Sequence, residues 1–571
     1  MKNIISGCAI GIFLALVGCQ QVEKATTRIS AIQGSGFKSP LENQWITTEG
    51  QITKDFRGDH FLNGFFIQDT KGDDNPKTSE GIFVRSNASI RVGETLVLKA
   101  KVIEHKGETQ LDSVQIISQT HSIKSIKALP IKLPISKIQK ESLEGMLVSS
   151  NQHWTVTDQY NLGKYGQFSA SVNGRTMSAT EVVAPGDAAI ELNKENNNAS
   201  LIFDDGAAQK PSTLPQLGSE KTLRNGSTFN TFTGILHENY FKYCIQSKEA
   251  IEITHTKRPE KPTEINGASL KVASFNVLNY FNGNGKNEEF PTPRGAKTPE
   301  EFKKQREKII HAIVAMDAGV VGLMEMENDG NGKYSAIQDL VSGLNKHIGT
   351  EQYQYIPYPT GSKGNTGTDA ITTAFIYDKT KVKPSGKAYA QNDAIFSRPP
   401  IAQEFINKQD GKAVVVVVNH FKSKGCRNSK GTENEDQDDG QGCYNAKRLA
   451  QAEALLTFTS TLKTNYKNDR IILIGDFNAY TMEDPIQKII AGGFQQLTKG
   501  SYSYVYKGMF GSLDHAFASS AIEKDIIKAV KWHINADEPH ILDYKSANPE
   551  GLYTKNSFRS SDHDPVIIGI R

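Results

Sequence analysis

Two clusters of polar side chains lie far apart in the chain, Gly475-Asp476-Phe477-Asn478 and Ser561-Asp562-His563-Asp564-Pro565, and each adjoins a short apolar run. Asp, Asn and His together offer a proton acceptor, a neutral hydrogen-bond donor and an acid-base imidazole. One chemistry wants that set at one point: metal-assisted hydrolysis of a phosphodiester, which needs an activated water, shielded phosphoryl oxygens and a stabilised leaving alkoxide. Further polar groups end other apolar runs, namely Asn276, Glu325, His420 and Asp514. An isolated Asp-x-Asn after a strand is commonly an Asx-turn, so the weight rests on the whole set.

Such groups act together only if a scaffold aims them at one point. From Ala268 onward, buried strands alternate with amphipathic helices: Leu270 to Leu278, Val320 to Met326, Val414 to Asn419, Ile471 to Ile474 and Val566 to Ile570 read as strands. Thr298-Pro299-Glu300-Glu301 supplies a cap, a Pro at the first helical position and a Glu at the third, which predicts a helix start. Phe302, Ile309, Ile310, Ile313 and Val314 give that helix a buried face, and Asn445 to about Leu462 predicts another helix. Residues 268–571 are therefore expected to form an α/β domain with the polar groups at the carboxyl ends of its strands, where such scaffolds place their sites.

Upstream the grammar is different. Short alternating runs punctuated by Gly and Asp, such as Gly64 to Asp69 and Glu94 to Val102, predict a small β-barrel over residues 20–125. A second β-rich unit with similar punctuation is expected over 126–256, and 257–267, with Pro259 and Pro262, reads as a linker. Phe65, Phe66 and Trp154 read first as core; stacking of nucleic-acid bases is the alternative.

Length and composition are consistent with about three folded units, since 571 residues exceed one ordinary core. A formal charge of +3 excludes a blanket attraction to nucleic acid, so any binding surface must be local. Residues 1–19 join a positive start to a short apolar stretch, which reads as a secretory signal. Its end, Leu16-Val17-Gly18-Cys19, looks like a bacterial lipobox in which Cys19 is acylated; a plain secretory signal is the alternative. The expected location is outside the cytoplasm, as an outer-membrane-anchored lipoprotein or as a secreted or periplasmic protein. Cys426 and Cys443 bracket a polar, acidic loop, and in an oxidising compartment a disulfide there would stabilise by about 3 kcal/mol. Cys244 reads as a buried thiol, and the acidic run from Glu433 to Asp439 lacks EF-hand spacing and reads as an exposed loop.

Six pieces in order carry a resemblance: Ser274-Phe275-Asn276, Met324-Glu325, Asn419-His420-Phe421-Lys422-Ser423-Lys424, Gly475 to Asn478, Ser512-Leu513-Asp514-His515 and Ser561 to Pro565. Together they resemble the endonuclease/exonuclease/phosphatase superfamily of deoxyribonuclease I-like fold, and more narrowly its bacterial extracellular nucleases that carry β-barrels ahead of the catalytic domain. The resemblance implies a four-layer α/β sandwich behind two OB-like β domains. It implies a divalent cation, Mg²⁺ first with Mn²⁺ and Ca²⁺ as alternatives, held by Glu325 with Asn276 beside it and by Asp562. Asp476 would orient or deprotonate the attacking water, and Asn478 would hold a phosphate oxygen without repelling it. His563, oriented by Asp562, would protonate or hydrogen-bond the phosphate, and Asp564 would fix the turn. His420 would assist the leaving group, with Lys422 and Lys424 on the phosphate backbone. Asp514 is a further metal ligand or a buffer of the site, and Arg398 is either a phosphate contact or a solvated loop residue.

The expected function is thus that of an exported, metal-dependent nuclease acting on extracellular DNA with little sequence specificity, as a monomer. Two alternatives remain at this level: a phosphodiesterase or phosphatase for a phospholipid or small phosphoester, and an idle, DNA-binding surface lipoprotein.

Overall fold

The computed structural model describes residues 26–571 apart from 124, 209, 211–216, 218–221, 287, 360–366 and 546–550. The expected secretory leader and its Cys19 lie outside the described residues.

Strands β1 (Trp45–Phe56), β2 (Gly64–Gln68), β3 (Gly81–Val84), β4 (Thr95–His105) and β5 (Glu108–Thr120) close into a barrel in the order β1-β2-β3-β5-β4. The β3–β5 contact is parallel and the other contacts are antiparallel. Along β4, Leu96, Leu98, Ala100 and Val102 are buried while their neighbours are half-exposed, the period-two pattern of a strand with one face on a core.

The second unit repeats that connectivity with its first strand broken. Halves β6 (Leu147–Ser150) and β7 (Trp154–Asp158) flank the run β8 (Phe168–Ser171), β9 (Ser200–Asp204), β11 (Lys242–Gln246), β10 (Phe232–Asn239), again with one parallel contact, β9–β11. Trp154 packs among Phe168, Phe203, Phe229 and Phe232 in its core, and Phe66 packs with Phe56, Phe83, Leu147 and Ile235 where the two units meet. Phe65, Phe66 and Trp154 are each 0% exposed, so base stacking by these rings is ruled out and they are core.

The C-terminal unit is a four-layer α/β sandwich. One six-stranded sheet has the order β14 (Tyr353–Tyr355), β15 (Ile371–Asp378), β13 (Val320–Glu327), β12 (Leu270–Tyr280), β23 (Val566–Ile570), β22 (Ile526–Lys531). The other runs β16 (Val382–Ala390), β17 (Ile401–Asn407), β18 (Ala413–His420), β19 (Ile471–Asp476), β21 (Asp514–Ser519), β20 (Phe494–Gln496). The valines of β18 show why the sheets stack. Val414, Val416 and Val418 enter the core shared by both sheets, while Val415 and Val417 meet helix α3 (Asn445–Tyr466) through Ala452 and Leu455. A strand buried on both faces gains about 1.5–3 kcal/mol per such side chain, which explains its unbroken valine run. Helix α4 (Asp484–Ala491) covers the same sheet, and α1 (Pro299–Met316) and α2 (Ala336–Ile348) cover the first. Helix α1 begins where its cap predicts: Thr298 accepts from the Glu301 amide at 3.1 Å, and the Glu301 carboxylate accepts from the Lys297 amide at 2.8 Å.

Candidate active site

Register alone brings the polar groups together. Strands β18 and β19 are parallel neighbours that set His420 beside Asp476, and antiparallel β21 sets Asp514 on the other side of Asp476. In the facing sheet, β12 and β13 pair Asn276 with Met324, the residue before Glu325. Both ladders break at this point, and Leu278, Asn279 and Glu325 take left-handed backbone (φ 53°, 54° and 65°), so a double irregularity turns Glu325 toward Asn276. Gly475 precedes Asp476 at φ 138°, and a Cβ there would lie 2.0 Å from the Asn419 carbonyl oxygen; only glycine lets β18 and β19 close at the site.

Asp476 is the hub. Its Oδ1 accepts from the Asn478 amide at 2.9 Å, and its Oδ2 accepts from Asn276 Nδ2 at 3.3 Å. The same Oδ2 lies 3.5 Å from His420 Nε2 and 4.0 Å from His563 Nε2. Burial pushes the Asp476 carboxyl up, against the pull of His563, with Asp514 adding to the rise.

The two imidazoles are tuned in opposite directions. Burial and then the Arg398 guanidinium hold His420 well below the ordinary histidine value, so it is neutral; its Nε2 accepts from Arg398 Nη1 at 3.0 Å and its buried Nδ1 has no partner among the described residues. Burial alone would lower His563 too, but Asp514, Asp476 and Asp562 outweigh it and raise it well above that value. Its Nδ1 meets Asp514 Oδ2 at 2.7 Å, and the Tyr504 ring lies 4.7 Å away, centroid to centroid. The site therefore pairs a neutral imidazole with an imidazolium.

Asn276 Nδ2 also bonds Glu325 Oε1 at 3.2 Å, and Glu325 Oε2 accepts from the Asn279 amide at 2.9 Å. Burial and then the Asp562 charge raise the Glu325 carboxyl. Among the described residues neither Glu325 nor Asp562 is in an ion pair with a lysine or arginine. Two carboxylates and an amide, with only the His563 imidazolium and the more distant Arg398 charge acting on them, form a hard-oxygen donor set that fits a divalent cation. Asp476, Asp514 and His563 also offer ligand atoms within 4.8 Å of one another, a second cluster in which the Asp514 hydrogen bond takes Nδ1 of His563 and leaves Nε2.

Several expected roles change. Asp514, not Asp562, orients His563: Asp562 Oδ1 is 4.0 Å from Nε2, and Asp562 is the more exposed of the two carboxylates. Lys424 is not a phosphate contact, because its ammonium lies 2.6 Å from both oxygens of the fully buried Glu483. Lys422 is half-buried with its ammonium 4.3 Å from the Tyr444 ring centroid, and burial and then the Arg398 charge lower its ammonium's pKa. Arg398 is buried in the site, held by His420 and the Phe421 carbonyl and 4.0 Å from Asp369, so the solvated-loop alternative falls away. Asn478 Nδ2 is tied to the Phe421 carbonyl at 3.1 Å, which joins the β18 and β19 loops. Asp564 accepts from the Asn535 and Ala536 amides at 2.8 and 3.1 Å and fixes the turn. Cys426 and Cys443 form a disulfide, and Cys244 is buried.

Three residues escape a reading by motif. Asp369 and Arg294 pair at 2.9 Å beside Arg398, and Tyr504 lies on His563; none of the three sits at the carboxyl end of a predicted strand, so no strand-end signal marks them.

Residues 271–560 match the model of the endonuclease/exonuclease/phosphatase family. Solved structures similar to this chain include the human Nocturnin catalytic domain with bound sulfate, at 16% identity and a TM-score of 0.33 over 53% of this chain and 94% of that one. A mannosyl-6-phosphatase of Bacteroides thetaiotaomicron is 15% identical, TM-score 0.33, over 53% of this chain and 99% of that one. A humanized D. rerio TDP2 is 13% identical, TM-score 0.33, over 53% and 98%. Among curated proteins none matches.

Proposed function

The chain belongs to the endonuclease/exonuclease/phosphatase family, and from that premise we propose that it is an exported, metal-dependent nuclease that cleaves the phosphodiester bonds of extracellular DNA with little sequence preference. The observation that carries the hydrolytic reading is the Asp476 carboxylate, set between a neutral His420 and a charged His563 and braced by Asn276 and Asn478.

Asp476 accepts the proton of the attacking water, a role suited to a carboxyl whose proton affinity burial has raised. His563, charged and clamped by Asp514, donates a hydrogen bond to a non-bridging phosphoryl oxygen. Arg398 adds a fixed positive charge, His420 holds that guanidinium in place by accepting at Nε2, and Asn478 offers a neutral amide that binds oxygen without a charge of its own. Glu325, Asn276 and Asp562 would hold a divalent cation, which would supply Lewis-acid polarisation of the phosphate. Lys422, half-buried beside the site with its ammonium over Tyr444, suits a polyanion continuing past the scissile bond. The Cys426–Cys443 disulfide supports a location in an oxidising compartment, consistent with a cleaved or lipid-bearing leader ending at Cys19.

The test is to incubate purified mature protein with supercoiled plasmid, sphingomyelin or a small phosphomonoester, each with Mg²⁺ and with chelator. Metal-dependent loss of supercoiled plasmid alone supports the reading. Turnover of the lipid or monoester without nicking would reassign the substrate, and no turnover at all would sink the enzymatic assignment.

A further inference from the structure

The family match begins at residue 271, yet the loops behind the site are also held from upstream of it. Residues 176–187 of the second β unit lie along the catalytic unit. Met177 bridges Phe510 in parallel, the Ser178 amide donates to the Phe510 carbonyl at 2.7 Å, and the Phe510 amide donates to Thr176 at 2.9 Å. The Met482 amide donates to the Thr180 carbonyl at 2.9 Å, and the Gly186 amide to Asp439 at 2.8 Å.

Into this seam the short helix Ala179–Val182 places Glu181, 7% exposed. Glu181 Oε1 accepts from Thr481 Oγ1 at 2.7 Å, and Oε2 accepts from the Thr481 amide at 3.2 Å and the Ser512 amide at 3.0 Å. Beside it Thr180 Oγ1 donates to Glu483 at 2.7 Å, and the buried Lys531 ammonium bonds Ser512 Oγ; burial raises the Glu181 carboxyl, against the Thr481 and Ser512 hydrogen bonds and the Lys531 charge.

The two loops so joined leave the same end of the paired strands β19 and β21. The first carries Asn478, and the second ends at Asp514, which holds His563. A carboxylate with one oxygen reaching both loops sets the spacing between them, and its loss would leave two buried amides without an acceptor. We propose that Glu181 is a positioning residue of the phosphoester site, supplied by the second β unit, which locks the Asp476–Asn478 loop to the Asp514 loop and makes that unit part of the catalytic assembly.

The activity arm of the test rests on the hydrolase reading, and the exchange arm does not. In the full chain, Glu181→Ala is expected to speed amide hydrogen exchange in residues 479–484 and 510–514. It should also lower kcat for plasmid nicking by about 10- to 100-fold with KM little changed, since displacement of a positioned group costs rate more than binding. Glu181→Gln, which keeps one acceptor oxygen, should fall between. If Glu181→Ala does not fold, Thr481→Val removes one of the three bonds and is read in the same way. A folded variant with unchanged exchange in either loop, or with unchanged kcat, overturns the proposal. A wild-type protein that nicks nothing refutes the nuclease reading instead, and exchange alone then decides on Glu181.

Discussion

Replacing Asp514 by Asn tests the central pair most directly. The side chain keeps its size and an acceptor oxygen, so the imidazole of His563 keeps a partner and loses a charge. At 2.7 Å, opposite unit charges attract by about 6 kcal/mol at an effective dielectric of about 20. The measured penalty for removing one partner of a buried pair is smaller, about 3–5 kcal/mol, because the survivor can shed its charge. Applied to the transition state, that is a fall in kcat of about 10²- to 10⁴-fold. Asp514 is also the first of the three carboxylates that lift His563 above its ordinary value, so its loss brings that value down. If His563 acts as the imidazolium, the alkaline limb of the kcat profile must then move to lower pH. Linkage has the same sign: the stability the pair contributes is full below about pH 6.5 and disappears as pH rises through the raised folded value. The assay is plasmid nicking at saturating Mg²⁺ across pH, with thermal unfolding as control. A folded Asp514→Asn protein whose kcat and alkaline limb match wild type would refute the assignment of Asp514 as the orienting group.

Glu325→Gln removes a carboxylate from the proposed cation set, and calorimetric titration of Mg²⁺ should show binding weakened at least tenfold, about 1.4 kcal/mol; unaltered binding would remove Glu325 from the set. Lys424→Met strands the fully buried Glu483, so chemical denaturation should report a loss of about 3–5 kcal/mol, whereas a KM effect without destabilisation would restore Lys424 as a substrate contact. The Cys426–Cys443 bridge spans 17 positions, and a Cys426→Ser, Cys443→Ser double variant should lose about 3 kcal/mol of stability; an unchanged unfolding midpoint would mean the loop is already ordered when the chain is unfolded.

Much of this site could be read along the chain because strand ends advertise themselves. A buried strand is a run of apolar residues, and a polar group that interrupts or ends it near the same end as its neighbours is costly unless used; Asn276 and Glu325 interrupt their strands, and His420 and Asp476 end theirs. The α1 cap and the valine run of β18 are equally local, since hydrogen bonds within a turn and alternation of two faces need no distant partner. What depends on where two remote segments meet was not legible. Asp562 neighbours His563 in sequence, but adjacent residues beside a strand point apart, and it is the antiparallel pairing of β21 with β19 that delivers Asp514 to the imidazole. Lys424 looked like a free cation until the fold buried Glu483 beside it, and Phe66 looked like a possible platform until the two β units closed over it. Sequence by itself determined which residue types were available and at which strand ends, because period and burial are written locally. Tertiary structure alone decided charge and partnership, because hydrogen bonds and Coulomb energies depend on distances of a few ångströms between groups that the chain keeps tens to hundreds of residues apart.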